Sequence, residues 1–207
     1  MPHDPQQLIQ GFNPSSHQER LPLPPEAGWS AEQRRVAQAL IDGPRRGVFG
    51  PFVPLLQAPA LLERVGALGE QLRFGGSLPD RLRELLICAV ARHTGNQFEW
   101  QLHAALARQA GVADAVIAAL RDGARPDAAR DGLADDEALA LDAAQELMHQ
   151  HGLADATWAR LQQALGAPAA VELATLVGYF TMVCWVMNLA RTPARPSDEA
   201  ALPGLPG

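Results

Sequence analysis

The chain has 207 residues, 47% of them apolar, which is enough to fill one packed core and excludes disorder throughout. Its 17 basic and 23 acidic side chains leave a formal net charge of −6, with no basic cluster to hold a polyanion, so nucleic acid is not an expected partner. Every basic residue is an arginine. Schiff-base and phosphate-loop chemistry, both of which need a lysine ammonium, are therefore excluded.

Cys88 and Cys184 are the only cysteines, each within an apolar run, so neither a four-thiolate zinc site nor a disulfide framework can be built. A reducing, cytoplasmic setting is expected, and Met1 to Gln10 does not read as a secretory signal. Leu173 to Ala190 carries no charge over 18 residues, the lower limit for crossing a bilayer. Gly178, Thr181 and Asn188 interrupt it, and Glu172 and Arg191 flank it closely. A helix buried in protein, not in a membrane, is the expectation.

Prolines crowd both ends, so residues 1–28 and 193–207 read as extended or mobile tails around one domain spanning 29–192. Between them the apolar period is helical almost everywhere, with no alternating β-branched runs; the fold class is all-α. Ser30 and Gln33 form a capping box that opens a helix to about Asp42, and Pro59 opens another that ends near Gly75. Ser77, as a cap, and Pro79 introduce a third. It is apolar at Leu82, Leu85, Leu86, Ala89 and Val90, and Gly95 is its left-handed stop. A fourth runs from Asn96 to Gly111. Helices near 114–121, 135–150 and 155–165 each open on an Asp, and a long apolar helix follows from Pro168 to about Ala190.

The chemistry-bearing residues concentrate between Arg83 and His103. Glu99 and His103 are four apart and project side by side, and Asn96 lies on the same stripe. If the two helices pack antiparallel across the turn at His93 to Gly95, Glu84 on the first can approach both. That would make a proton-transfer group. A structural alternative stays open: Asn96 and Glu99 also fit a capping box, and His103 could be a satisfied, half-buried histidine. A metal set would need more ligands than lie nearby. His149 and His151 precede Gly152 at a helix end and read as C-terminal caps, and no serine sits in a nucleophile elbow. Trp100, Trp158 and Trp185 read as core or subunit-contact residues.

This stretch resembles the carboxymuconolactone decarboxylase and alkylhydroperoxidase D superfamily, whose signature is Glu, eleven residues, Cys-x-x-Cys, three residues, then His. Counting from Glu84, the frame falls on Asn96, Glu99 and His103, with both thiols replaced. Phe98-Glu99-Trp100, Ala110-Gly111-Val112 and Glu172-Leu173 through Gly178-Tyr179 to Asn188 are similar to the decarboxylase branch, and the similarity runs from about Gly50 to about Pro193.

The resemblance implies an AhpD-like helical bundle that assembles as a homo-oligomer, commonly a trimer or hexamer. It also implies a cofactor-free lyase acting on a small carboxylated lactone or related intermediate of aromatic-compound degradation. In that reading Glu84, Glu99 and His103 are catalytic, and the small anionic substrate is held by Asn96 and by Arg73, Arg81 and Arg92. No metal or cofactor is expected. Peroxidase activity, frequent in the superfamily, is the disfavoured alternative because it needs the missing thiol pair. A non-catalytic oligomeric binding protein is the third reading.

Overall fold

The computed structural model describes residues 19–194 and 197–203; the tails expected at 1–18, 195–196 and 204–207 lie outside the described residues. Nine α-helices and no strand occur among the described residues, in the order α1 (Ala31–Asp42), α2 (Phe52–Leu55), α3 (Pro59–Phe74), α4 (Asp80–Thr94), α5 (Gln97–Gln109), α6 (Asp114–Arg121), α7 (Ala128–Asp131), α8 (Asp135–Gln150) and α9 (Asp155–Ala190).

Helix α4 is the axis of the molecule, packing against α5, α8 and α9. Apolar side chains surround it on nearly every side, so it divides the core instead of bordering it. Leu82, Leu86, Ile87 and Val90 pack with residues of α1, α3, α8 and α9. Leu85, Cys88, Ala89 and Ala91 pack with residues of α5, α6 and α8.

Several starts and stops follow directly from the sequence. Ser30 forms the full capping box with Gln33, and Gly95 ends α4 at φ 65°. Gly166, at φ 79° and ψ 163°, breaks α9 just before Pro168, which divides it where the sequence does. Elsewhere the expected caps are replaced. Asp114, Asp135 and Asp155 occupy first helical positions behind Ala113, Ala134 and Ala154, where their charge complements the helix N-terminus without capping it.

Ser77 does not cap α4. Its N–H and hydroxyl both donate to Glu172 Oε2 at 2.7 Å, which ties the entry of α4 to α9. Gly76 makes this possible, since a Cβ there would lie 2.1 Å from Glu172 Oε1. His149 does not act alone at the end of α8 either: its ring packs edge-on against His93 at 4.9 Å. His151 takes the left-handed position that closes the helix.

The C-terminal stretch is extended but anchored. Trp100 is buried and donates from Nε1 to the Ala200 carbonyl at 2.9 Å, the Leu202 N–H donates to Gln97 Oε1 at 2.9 Å, and Glu199 pairs with Arg108. Residues 197–203 thus lie along α5, where the sequence suggests a mobile tail. The uncharged window of α9 is half buried in the fold. Its other face exposes Val171, Trp185 and Leu189, and Trp158 is also partly exposed.

Candidate functional site

The turn between α4 and α5 places the central group. Gly95 in the left-handed region lets the Asn96 N–H reach back to the Ala91 carbonyl at 2.8 Å. Asn96 Oδ1 then accepts the Glu99 N–H at 2.9 Å as the N-cap of α5. Only half of the capping box forms. Because the Asn96 N–H is already satisfied by α4, the Glu99 carboxylate has no donor to return to and turns to His103 one helical turn on.

His103 joins two carboxylates from two helices. Its Nδ1 is 2.5 Å from Glu84 Oε2, and its Nε2 is 3.0 Å from Glu99 Oε2. Glu84, Glu99 and His103 are 4%, 3% and 1% exposed, so the interaction is removed from water. Arg83 Nε lies 3.3 Å from the outer Glu84 oxygen, and the Phe180 ring packs edge-on to the imidazole at 5.3 Å. Burial, the largest single influence, pushes His103 down, but the hydrogen bonds and charges of Glu84 and Glu99 more than offset it and the net shift is upward. For Glu84, burial raises the pKa; the His103 contact, reinforced by Arg73 and Arg83, turns the net shift downward.

Asn96 belongs to the frame instead of the reacting surface. Its Nδ2 donates to Asn188 Oδ1 at 2.9 Å and to the Cys184 carbonyl at 3.3 Å, while Asn188 Nδ2 donates to the Thr94 carbonyl at 2.9 Å. The side chain that stands in the first thiol position therefore fastens the α4–α5 turn to α9, and it does not line the cavity beside His103.

That cavity measures about 350 Å³ counted to its open mouth and is narrow, with room for about one water. Glu99 and His103 share it with Arg45, Arg73 and Tyr179, and Phe49, Phe52, Leu102, Phe180 and Val183 supply apolar wall. Of the arginines singled out in the sequence, only Arg73 reaches it. Arg81 instead bridges α4 to the start of α8 through Asp136 and Glu137, both at 2.6 Å. Arg92 lies against Gly123, where a Cβ would meet its Nη2 at 2.8 Å. Arg81 thus satisfies partners distant in sequence, which no local pattern discloses.

Arg45 and Tyr179 are site residues that the sequence reading missed. Arg45 sits in the Gly-Pro-Arg-Arg-Gly loop after α1, and loops carry a disproportionate share of binding residues. Tyr179 is the only tyrosine of the chain, set in an uncharged helix where a phenol needs a partner. Burial raises its pKa to about 12, so it remains a hydrogen-bond donor.

Cys88 and Cys184 are both fully buried, and burial pushes each thiol well above its usual range. Among the described residues no three His, Cys, Asp or Glu side chains are disposed to hold a metal ion.

The buried triad makes stability depend on pH. His103, raised, contributes fully below its unfolded value near 6.5 and loses that contribution as pH rises through the folded value. Glu84, lowered, contributes above its unfolded value near 4.5 and loses it as pH falls through the folded value. Replacing His103 by Gln leaves two buried carboxylates without a cation between them and costs about 3–5 kcal/mol. Urea unfolding of the two proteins should show the wild-type advantage widest between these two values and narrowing on both sides. A difference independent of pH would contradict the assignment.

Residues 59–146 match the model of the carboxymuconolactone decarboxylase family. No curated protein is similar enough in sequence to count as a relative. Among solved structures, a peroxidase-related protein from Ralstonia eutropha with an alkylhydroperoxidase AhpD core superimposes with a TM-score of 0.68 at 18% identity, covering 88% of this chain and 95% of that one. A peroxidase-related protein from Silicibacter sp. gives 0.63 at 15% identity, covering 89% and 92%. At these identities the likeness to solved structures is one of fold. The family match spans Glu84 to His103, the stretch that carries the buried site, and the solved structures share the fold of the whole domain.

Proposed function

We propose that the protein is a cofactor-free carboxy-lyase acting on a small carboxylated lactone or related intermediate of aromatic-compound degradation. The observation that carries this reading is the sealed Glu84–His103–Glu99 bridge opening on a cavity that also holds arginine. In an unsaturated lactone carboxylate, the electrons of the broken C–C bond pass to the ring carbonyl as carbon dioxide leaves. The enolate is then protonated at carbon, so the net reaction takes up one proton. His103, held as imidazolium between two carboxylates, is the acid, and the carboxylates orient its ring and offset its charge. Glu84 also borders an outer groove with Arg83 and Arg73, through which the imidazole regains its proton from solvent.

The redox reading has less support. Neither thiol is exposed or placed beside the other, whereas attack on a peroxide needs an accessible thiolate. Against a binding protein without chemistry stands the placement of a buried, charged imidazole at a cavity wall, which stability alone does not require.

We also propose that the protein works as a homo-oligomer, a trimer or hexamer, through the outer face of α9. Val171, Gly178 and Trp185 recur at seven-residue spacing, interleaved with Thr175, Met182 and Leu189, which is the seam of a helix pair. Val171, Trp185 and Leu189 are each more than 60% exposed. Replacing Trp185 by Glu should lower the mass measured by light scattering. An unchanged mass would remove α9 as the contact.

The activity is tested by incubating the pure protein with a panel of carboxylated unsaturated lactones and following carbon dioxide release and proton uptake. Turnover should fall about a hundredfold or more in His103→Gln and survive Cys88→Ser with Cys184→Ser. No turnover across the panel, or peroxide consumption that vanishes in the double cysteine variant, would overturn the lyase reading in favour of the others.

A further inference from the structure

We propose that Arg45, Arg73 and the Tyr179 hydroxyl form a seat for one carboxylate group of the substrate, which points the reacting carbon at His103 and Glu99. The proposal rests on the reading of the site as one that takes a carboxylated substrate, and adds which group is held and by which residues. The three side chains come from three separate elements, the loop after α1, the last turn of α3, and α9, and they meet on the cavity that His103 lines.

Among the described residues neither guanidinium makes a direct ion pair, although Glu84 lies near enough to feel Arg73, and Glu70 and Glu99 near enough to act on Arg45. Arg81, Arg83 and Arg108, by contrast, each pair directly with a carboxylate. Arg45 instead donates from Nη2 to the Gly66 carbonyl at 3.2 Å and stacks over the Phe52 ring at 4.5 Å, while its Nε is buried without a partner. Arg73 Nε is likewise buried and unpartnered. The two guanidiniums lie about the same Phe74 ring, at 6.0 and 5.2 Å from its centroid. Two neighbouring cations with spare donors and no direct ion pair are costly to hold together in a part-buried wall; burial lowers Arg45 most, Arg73 lowers it further, and the more distant Glu70 and Glu99 act against them without reversing the net downward shift. A planar carboxylate between them would satisfy both unpartnered edges and remove the like-charge repulsion.

The space beside them is kept open by a glycine. A Cβ at Gly69 on α3 would fall 2.0 Å from the Tyr179 hydroxyl oxygen and 2.8 Å from Arg45 Nη2, so any larger residue would drive the phenol and the guanidinium out of position. Glu99, on the same cavity, sets the charge that the seat accepts. A phosphate dianion would bring a second negative charge towards that carboxylate, whereas a carboxylate with an uncharged ring behind it would not. The narrow interior has room for about one water, so the carboxylate enters it and the ring stays towards the open mouth, with Phe52, Phe180 and Val183 as apolar wall.

The test uses 2-furoate, a planar five-membered ring with one carboxylate, on the full chain by titration calorimetry, with 2-furamide and inorganic phosphate as controls. Wild type should bind furoate in preference to both. Arg45→Gln and Arg73→Gln should each weaken it by about tenfold or more, and Tyr179→Phe by less. Gly69→Ala should weaken it while leaving both arginines in the chain. Because the arginine variants could lose structure, Arg45→Lys, which keeps the charge and removes the planar fork, is compared by circular dichroism and should still bind more weakly than wild type. Equal binding of furamide, tighter binding of phosphate, no binding of furoate to wild type, or furoate affinity unchanged in both arginine variants would each overturn the seat. Furoate binding that depends on both arginines in a protein that turns over no lactone would leave the seat standing and remove the lyase. Lactone turnover with unchanged KM in both variants would do the reverse.

Discussion

A single buried imidazole, shared between carboxylates on α4 and α5, is the constraint around which the rest of the site is arranged. Three ionisable side chains are withdrawn from water at a cost that only close mutual contact can offset. That contact requires α4 and α5 to leave the turn at one fixed angle. Gly95 supplies the left-handed residue, Asn96 satisfies the exposed ends of both helices, and Asn188 holds the turn against α9. Asn96 and Glu99, three residues apart, divide two tasks between them: Asn96 secures the turn and Glu99 holds the imidazole.

Much of this was legible because it is local. The four-residue spacing of Glu99 and His103, the glycine stop before them and the pairing of adjacent helices over a short turn are all properties of neighbouring residues. So are the capping box at Ser30 and the break at Gly166. Where distant partners decide the outcome, the sequence was a poorer guide. Ser77 has the look of a cap but serves Glu172, on a helix far along the chain. Arg81 stands close to Glu84 in sequence, yet acidic residues at the start of α8 capture it. Arg45 and Tyr179 had no motif to mark them, because the cavity that gives them meaning exists only once α1, α3 and α9 have packed.

The cavity has two chemically distinct parts. His103 and Glu99 line one part of the wall, where the imidazole can pass a proton, while Arg45 and Arg73 on another present guanidiniums that make no direct ion pair among the described residues. A titrating group and permanently cationic groups facing one narrow, largely apolar space suit a small anion whose reactive end must be desolvated. Buried thiols at Cys88 and Cys184 take no part in that space; they fill the core on either side of α4.

Nitrogen-15 NMR of His103, assigned by its loss in the His103→Gln variant, measures the state of the bridge itself. At pH 6.5 the account predicts an imidazolium, protonated on both ring nitrogens in more than half of the molecules and titrating above the ordinary histidine value. A neutral ring at that pH, protonated on one nitrogen and titrating below the ordinary value, would contradict it.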